Sequence, residues 1–401
     1  MARTRTGRLR RVGGCTAVLT AAAVAAAALP AHAAPEQGRI LGAGAPGSVT
    51  GSYLVTLKEG TGARSATAQE LAERYGARIS HTYGTVLNGF AIRAGAGAAG
   101  RLAADPRVAS VVQDSRVTLE HTQSDPPNWG LDRVDQRSLP LDRRYTWPES
   151  AGAGVTVYVI DTGIRTSHKD LAGRAVHGWD FVQNDRTAQD ANGHGTHVAG
   201  IVAGHSHGVA KKARVVSVRV LDGNGAGTTA QVLAGIDWVT RHAKKPAVAN
   251  LSLGGTYNAQ LNAAVRASIA SGVTYTVAAG NDGRPAALYS PASVRQAITV
   301  GATDRRDKKP AFSNTGSAVD LFAPGVAITS ASAAGDTARA TYSGTSMAAP
   351  HAAGAAALYL ADHRRAGPAE VAKALVKQAA RGKVKGRGLG SPDRLLQVPP
   401  S

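Results

Sequence analysis

Apolar and polar positions alternate early in the chain and merge into solid apolar runs later. In Ser52-Tyr-Leu-Val-Thr-Leu-Lys58 every second residue, Tyr53, Val55 and Leu57, is apolar, the period of a half-buried strand. A helix-compatible run from Ala66 to Tyr75 follows, then strand-like stretches at Ala77 to Ser80 and Gly89 to Arg93. A short helix near Gly100 to Ala104 and a last strand from Val108 to Val112 complete the set. This βαββαβ order predicts a small ferredoxin-like α+β unit.

From Asn128 onward the pattern changes. Gly154 to Ile160, Arg214 to Leu221, Val248 to Leu253, Val273 to Ala278 and Ala297 to Val300 are near-continuous Val, Ile and Ala runs. Such runs suit strands buried on both faces of a parallel sheet. Helical stretches lie between them, including Thr229 to His242 and Tyr257 to Ser271. The pattern predicts an α/β domain, a doubly wound and mainly parallel sheet with helices on both faces. No internal repeat is apparent, and residues 34–50, rich in Gly, Ala and Pro, read as a linker.

Composition narrows the picture. Aromatics make up 4% of the 401 residues and glycines number 47, so the core is expected to be aliphatic and the turns tight. Five arginines between Arg3 and Arg11 precede an apolar run from Cys15 to Leu29 and the small-residue site Ala31-His-Ala33. Together they predict a secretory signal over residues 1–33, cut after Ala33, and an extracellular product. The apolar run is shorter than the ~20 residues of a membrane-spanning helix. Cys15 is the only cysteine and lies ahead of the apolar run, so neither a lipid anchor nor a disulfide framework is expected.

The formal charge is +19, and loss of the signal's arginines leaves +14. A basic surface of this size could steer nucleic acid, anionic wall polymers or acidic substrates. The cations fall in short clusters, such as Lys211-Lys212-Ala-Arg214 and Arg381-Gly-Lys-Val-Lys-Gly-Arg387, without aromatic residues interleaved for stacked bases. A solvated cationic face is expected, with no nucleic-acid partner.

Three segments set reactive side chains where a strand or loop meets a helix. Val157-Tyr-Val-Ile-Asp161-Thr-Gly163 ends a buried strand in an acid. Ala191-Asn-Gly-His194-Gly-Thr-His197-Val-Ala-Gly200 opens a helix with a histidine, beside glycines read as room for substrate. Ser343-Gly-Thr-Ser346-Met-Ala-Ala-Pro-His351 sets a serine ahead of an apolar helix. Serine hydrolysis needs a hydroxyl nucleophile, an imidazole to take its proton and a carboxylate to orient the imidazole. Asp161, His194 and Ser346 supply these types. Acyl transfer also needs an oxyanion donor, for which Asn281, closing Val277-Ala-Ala-Gly-Asn281, is the candidate, with the Ser346 amide as second donor.

In this order, "VIDTG", "GHGTHVAG", "LSLGG", "AAGN" and "SGTSMAAPH" resemble the subtilisin-like serine proteases, in particular the proteinase K group, from Asn128 to about Leu396. The preceding unit resembles the inhibitor-type propeptide of that family. The resemblance implies residues 34–120 as linker plus propeptide, its folded part from about 51, and 121–401 as peptidase domain. It implies Ser346 as nucleophile, His194 as general base and acid, Asp161 as its orienting carboxylate and Asn281 as oxyanion donor. Ser252, Leu253 and Gly254 would pair with substrate as an added strand, and Gly225, Ala226 and Gly227 from the other side. Ala278, Ala279 and Gly280 would line the pocket before the scissile bond, giving a broadly specific endopeptidase.

No catalytic cofactor is implied, but a structural calcium is, on the Asp320 carboxylate and the carbonyls of Arg295 and Ala297. The implied partners are protein and peptide substrates and the chain's own propeptide, acting as intramolecular inhibitor and folding aid and removed by self-cleavage within a few residues of Glu120-His121. The protease would be a monomer, with no membrane association after signal removal. Two positions depart from the group: Val198 stands where a cysteine is common, and Thr229 where a bulky aromatic is frequent.

Two other readings fit parts of the pattern. A hydrolase with a nucleophile elbow needs acid and histidine after its serine, and only His351 and His363 follow Ser346. A metal-binding protein could use His194, His197, His205 and His207, but no Glu adjoins the His pair as a zinc protease requires.

Overall fold

The computed structural model describes residues 37–45, 48–115 and 121–398; the expected signal at 1–33 lies outside them. The described residues fall into two compact units, divided between 117 and 118.

In the first unit the elements run β1 (Ile40–Leu41), β2 (Ser48–Leu57), α1 (Ala66–Arg74), β3 (Arg78–Tyr83), β4 (Gly89–Arg93), α2 (Ala96–Ala103) and β5 (Val108–Ser115). The sheet order is β1-β5-β2-β4-β3, antiparallel except for the β1–β5 edge. The alternating face of β2, Tyr53, Val55 and Leu57, buries against Leu71 of α1, Leu102 of α2, Phe90, Ile92 and Val111. The stretch read as a linker contains β1, because Ile40 and Leu41 pair in register with Val111 and Val112. Two apolar residues amid Gly and Ala were too short a run to signal a strand.

The second unit begins with β6 (His121–Ser124), α3 (Trp129–Val134), β7 (Arg144–Trp147) and β8 (Thr156–Asp161). It continues through β9 (Ala175–Asp180), α4 (His194–Ala203), β10 (Arg214–Arg219), α5 (Thr229–His242), β11 (Ala247–Leu251), β12 (Gly255–Thr256), α6 (Ala259–Ala270) and β13 (Thr274–Ala278). It closes with β14 (Tyr289–Ser290), β15 (Ile298–Thr303), β16 (Leu321–Pro324), β17 (Ile328–Ala331), β18 (Arg339–Tyr342), α7 (Thr345–Asp362), α8 (Pro368–Gln378), β19 (Ala380–Arg381) and β20 (Arg394–Leu395).

The main sheet has the order β19-β20-β16-β15-β13-β11-β8-β10-β9 and is parallel except at the β19 edge. Successive residues of each strand enter opposite cores. Val157 and Val159 of β8 join the core under α4 and α7, whereas Tyr158 and Ile160 join the core under α5 and α6. Both faces being covered explains the solid apolar runs. Strand β8 lies between β10 and β11, so the chain leaves it to build the sheet in both directions. The ends of strands at such a switch point open a crevice, and Asp161 stands at its lip.

Candidate active site

Helix α4 starts where it does because Gly193 adopts φ 110°, a left-handed conformation that favours glycine. Asp190 then takes up the free amides of the first turn: its Oδ1 accepts from Asn192 and Gly193 and its Oδ2 from the Thr196 amide, all at 2.8–2.9 Å. Thr162, next to Asp161, donates its hydroxyl to Asp190 and accepts the Gly195 amide, both at 2.9 Å. These bonds lock the end of β8 against the start of α4. His194 Nδ1 consequently lies 2.7 Å from Asp161 Oδ1, with Asp161 buried and the His194 side chain 26% exposed.

Gly195 fills a different role from the one expected. A Cβ there would lie 2.1 Å from the Gly163 carbonyl and 3.2 Å from Asp161, so this glycine allows helix and strand to approach closely rather than making room for substrate. Burial opposes charge on His194, but the adjacent Asp161 carboxylate outweighs it and holds the imidazole above its ordinary 6.5.

Ser346 is the second residue of α7. Pro350, four residues on, has no N–H to give the Ser346 carbonyl. That carbonyl instead accepts the Ser252 hydroxyl at 2.7 Å, while Ser346 Oγ donates to the Ser252 carbonyl at 3.0 Å. The Ser252 hydroxyl is itself held by Asn250 Nδ2 at 2.9 Å. The first turn of α7 is thus braced against the end of β11, and the Ser346 hydroxyl points to Ser252 rather than to His194.

Asn281 is oriented by its oxygen: Oδ1 accepts both the amide and the hydroxyl of Thr345 at 2.9 Å. Its NH2 is left facing the space beside Gly344, where a Cβ would lie 3.5 Å from Asn281 Nδ2 and 3.7 Å from the Ser346 amide. Two donors therefore flank one small space next to a hydroxyl, a geometry able to receive an oxyanion.

Two hollows meet at this point. A cleft of about 590 Å³ is walled by Gly225, Ala226 and Gly227 on one side and Ser252, Leu253 and Gly254 on the other, with His194, Thr229, Val232 and Leu261 inside it. A pocket of about 220 Å³ beyond Leu253 is lined by Ala278, Ala279, Gly280, Asn281 and Ser346, and also by Asp282, Tyr289 and Ala292. The last three were not anticipated. Nor was Asn314, whose Oδ1 accepts the Asp282 and Arg284 amides at 3.0 and 2.9 Å and whose Nδ2 donates to the Ala279 carbonyl at 2.9 Å. It shapes the pocket wall from a loop distant in sequence that carries no local motif.

The other histidines are otherwise engaged. His197 Nε2 lies 3.0 and 3.1 Å from the carbonyls of Ile328 and Ala340, its ring stacked on Tyr342 at 4.5 Å. His207 Nδ1 is 2.8 Å from Asp170. Among the described residues no three His, Cys, Asp or Glu are grouped to hold a metal ion. His351 is buried between Met347 and Asn128 and His363 stacks on Tyr359, so neither serves a nucleophile-elbow hydrolase.

Asp320 opens the approach to β16. Its Oδ2 accepts the Thr299 amide at 2.8 Å, and its amide donates to the Thr299 carbonyl at 2.9 Å. Burial raises its carboxyl to about 6, and the guanidinium of Arg295 is turned to the Ser317 carbonyl, 2.9 Å away. The guanidiniums of Arg394 and Arg295 partly offset that rise, and Arg394 reaches the Asp320 carbonyl at 3.4 Å, but neither bonds the carboxylate; a buried carboxylate of this kind fits a hard oxygen-seeking cation such as calcium.

Residues 152–394 match the Subtilase family, and residues 52–120 match Peptidase inhibitor I9. An extracellular serine proteinase of Thermus sp. (strain Rt41A) is 46% identical over 390 residues, covering 92% of this chain and 95% of that protein. A cuticle-degrading serine protease of Arthrobotrys oligospora is 41% identical, covering 93% of this chain and 96% of its own. The crystal structure of a cold adapted subtilisin-like serine proteinase superposes with a TM-score of 0.66 at 49% identity, covering 68% of this chain and 98% of the other. Fold, motifs and relatives agree: the chain belongs to the subtilase family of serine proteases, is of the proteinase K type, and carries an inhibitor I9 propeptide ahead of its protease unit.

Proposed function

We propose that the chain is the precursor of a secreted, broadly specific endopeptidase in which Ser346, His194 and Asp161 perform acyl transfer and Asn281 and the Ser346 amide bind the oxyanion. The observation that carries this reading is the 2.7 Å pairing of a buried Asp161 with His194, which lines the cleft that meets, across Leu253 and Gly254, the pocket lined by Ser346 and Asn281.

A substrate strand lying between Gly225–Gly227 and Ser252–Gly254 brings a backbone N–H to the Ser252 carbonyl. The Ser346 hydroxyl, displaced from that carbonyl, turns to His194 Nε2. Oγ attacks the scissile carbonyl as its proton passes to Nε2; Asp161 stabilises the imidazolium, and the carbonyl oxygen, now anionic, takes bonds from Asn281 Nδ2 and the Ser346 amide. Collapse breaks the C–N bond, and the Nε2 proton leaves with the amine. Water then gives a proton to His194 and its oxygen to the acyl carbon; the C–Oγ bond breaks and His194 returns that proton to Oγ, releasing the acid and restoring Ser346. Ala278, Ala279 and Gly280 present a small-residue wall to the side chain before the scissile bond, consistent with broad specificity.

The same chemistry would cut the precursor within a few residues of Glu120-His121, freeing the protease from residues 34–120. Export by the 1–33 signal fits the extracellular relatives, and no described helix is long and apolar enough to cross a membrane. Calcium, on Asp320 with the Arg295 and Ala297 carbonyls, would be structural.

The deciding experiment expresses the precursor with Ser346→Ala in a protease-free host. Wild type should mature to a chain starting near residue 121 and hydrolyse casein until blocked by a serine-directed inhibitor, whereas the variant should stay full length less its signal. Unaided maturation of the variant near residue 120 would overturn the mechanism.

A further inference from the structure

Two basic stretches far apart in sequence, Arg305–Lys309 and Arg381–Arg387, lie side by side. Lys308 and Lys385 form a parallel bridge, the Lys309 amide donates to the Lys385 carbonyl at 3.0 Å, and the Lys385 amide to the Asp307 carbonyl at 2.8 Å. Arg305, Arg306, Lys308, Arg381, Lys385 and Arg387 are exposed and Lys383 is half-buried. Neighbouring like charges on adjoining backbone rungs destabilise a fold, so the arrangement opposes stability.

The nearby carboxylates do little to relieve it. Asp304 Oδ1 accepts the amides of Arg306 and Lys308, and Asp393 Oδ1 those of Lys383 and Val384, at 2.9–3.0 Å. Asp307 is buried and paired with Arg133 at 2.7 Å. Among the described residues only Arg387 of the seven cations stands within ion-pair distance of a carboxylate, Asp393 at 3.4 Å. The acids therefore hold the loop backbones in shape while the cations face outward.

Beside Gly382 and Gly386 there is open space, so a flexible chain could lie against the backbone. Residues 304–309 and 381–394 contain no Phe, Tyr or Trp, so nothing there stacks on a base. The arginines offer forked donors that match phosphate. None of these cations lines the cleft or the pocket.

We infer that the paired 305–309 and 381–387 loops are a docking site for a linear, phosphate-bearing polyanion, separate from the proteolytic cleft. It would concentrate the protease on an anionic polymer while leaving the cleft open.

Binding of labelled long-chain polyphosphate to the secreted mature protease, over a series of NaCl concentrations, tests this. The triple variants R305Q/R306Q/K308Q and K383Q/K385Q/R387Q should each bind about tenfold or more weakly and lower the log–log salt slope by roughly two. A control triple on another exposed face, R365Q/K373Q/K377Q, should change affinity less than about twofold. Peptide hydrolysis and cooperative melting should be unchanged throughout, and K383R/K385R should keep full affinity. Equal loss in the control would show diffuse charge and overturn the site. Leu389, two residues past the second loop, is almost fully exposed; tighter binding to phosphatidylglycerol vesicles abolished by Leu389→Ser would also overturn the site, as would tighter binding to a single-stranded oligonucleotide of equal charge.

Discussion

At the level of single residues, the site separates groups that hold geometry from groups available for chemistry. Asn281 does both, its oxygen fixing Thr345 and its nitrogen left free. Asn281→Asp keeps the acceptor and removes the donor, so kcat should fall by about two to three orders of magnitude with KM little changed, as steady-state kinetics on a peptide substrate would read. The pH profile follows from His194: its imidazole must be neutral to accept a proton and is held above 6.5 by Asp161. The acidic limb of kcat/KM should therefore have its midpoint above 6.5, and Asp161→Asn should move that midpoint down while lowering kcat by roughly four orders. His197 is the contrast. Burial lowers it, like His351, to about 4. The unfolded chain takes up protons near 6.5 that the folded chain refuses until about 4, so stability present above 6.5 is lost as pH falls through this window. The loss is on the order of 3 kcal/mol per histidine if fully expressed. His197→Ala should melt lower at pH 8, show a shallower loss between pH 7 and 5 by calorimetry, and keep most of its turnover.

At the level of elements, Gly195, next to His194, shows how tightly β8 and α4 are coupled. Gly195→Ala places a carbon 2.1 Å from a backbone carbonyl that has no rotamer to yield, so the helix start must shift away from Asp161. Turnover should drop more than about tenfold, because a small misplacement of a positioned base is amplified, and the melting temperature should fall with it. Substrate affinity, set across the cleft by Ser252–Gly254, should change less. The strands of the main sheet were legible because burial on both faces writes them as Val, Ile and Ala runs, and α5 matched its predicted span of Thr229 to His242. β9 was not legible: Ala175-Val-His-Gly-Trp-Asp180 is an edge strand of mixed polarity, half-buried over most of its length. Asp161, His194 and Ser346 could be singled out as candidates because serine hydrolysis restricts the residue types it can use. Thr162 reaches Asp190 across 28 residues and Asn314 reaches the Ala279 carbonyl across 35, and no local pattern encodes such partners.

At the level of the whole molecule, a chain with a single cysteine cannot form an internal disulfide, so its long parallel sheet is held by packing, to which a bound ion would add. Asp320 sits where β15 and β16 are joined through reciprocal bonds to Thr299, next to the loop carrying Arg295 and Ala297. A calcium ion there would neutralise a carboxylate that burial otherwise keeps hard to ionise. Binding to the folded chain alone stabilises it in proportion to the logarithm of concentration, about 2.7 kcal/mol at a hundredfold excess over Kd. The mature protease should therefore melt higher as calcium is added and lower in a calcium chelator, while initial rates at 25 °C stay nearly constant because the ion lies outside the cleft. Asp320→Asn removes the charge but keeps an oxygen for Thr299, and should flatten the calcium dependence while leaving the chelated melting temperature close to that of wild type. A variant that kept the full calcium response would place the ion elsewhere in the protease unit and leave Asp320 as a bond between strands, since a ligand can raise stability only through the site it occupies in the folded state.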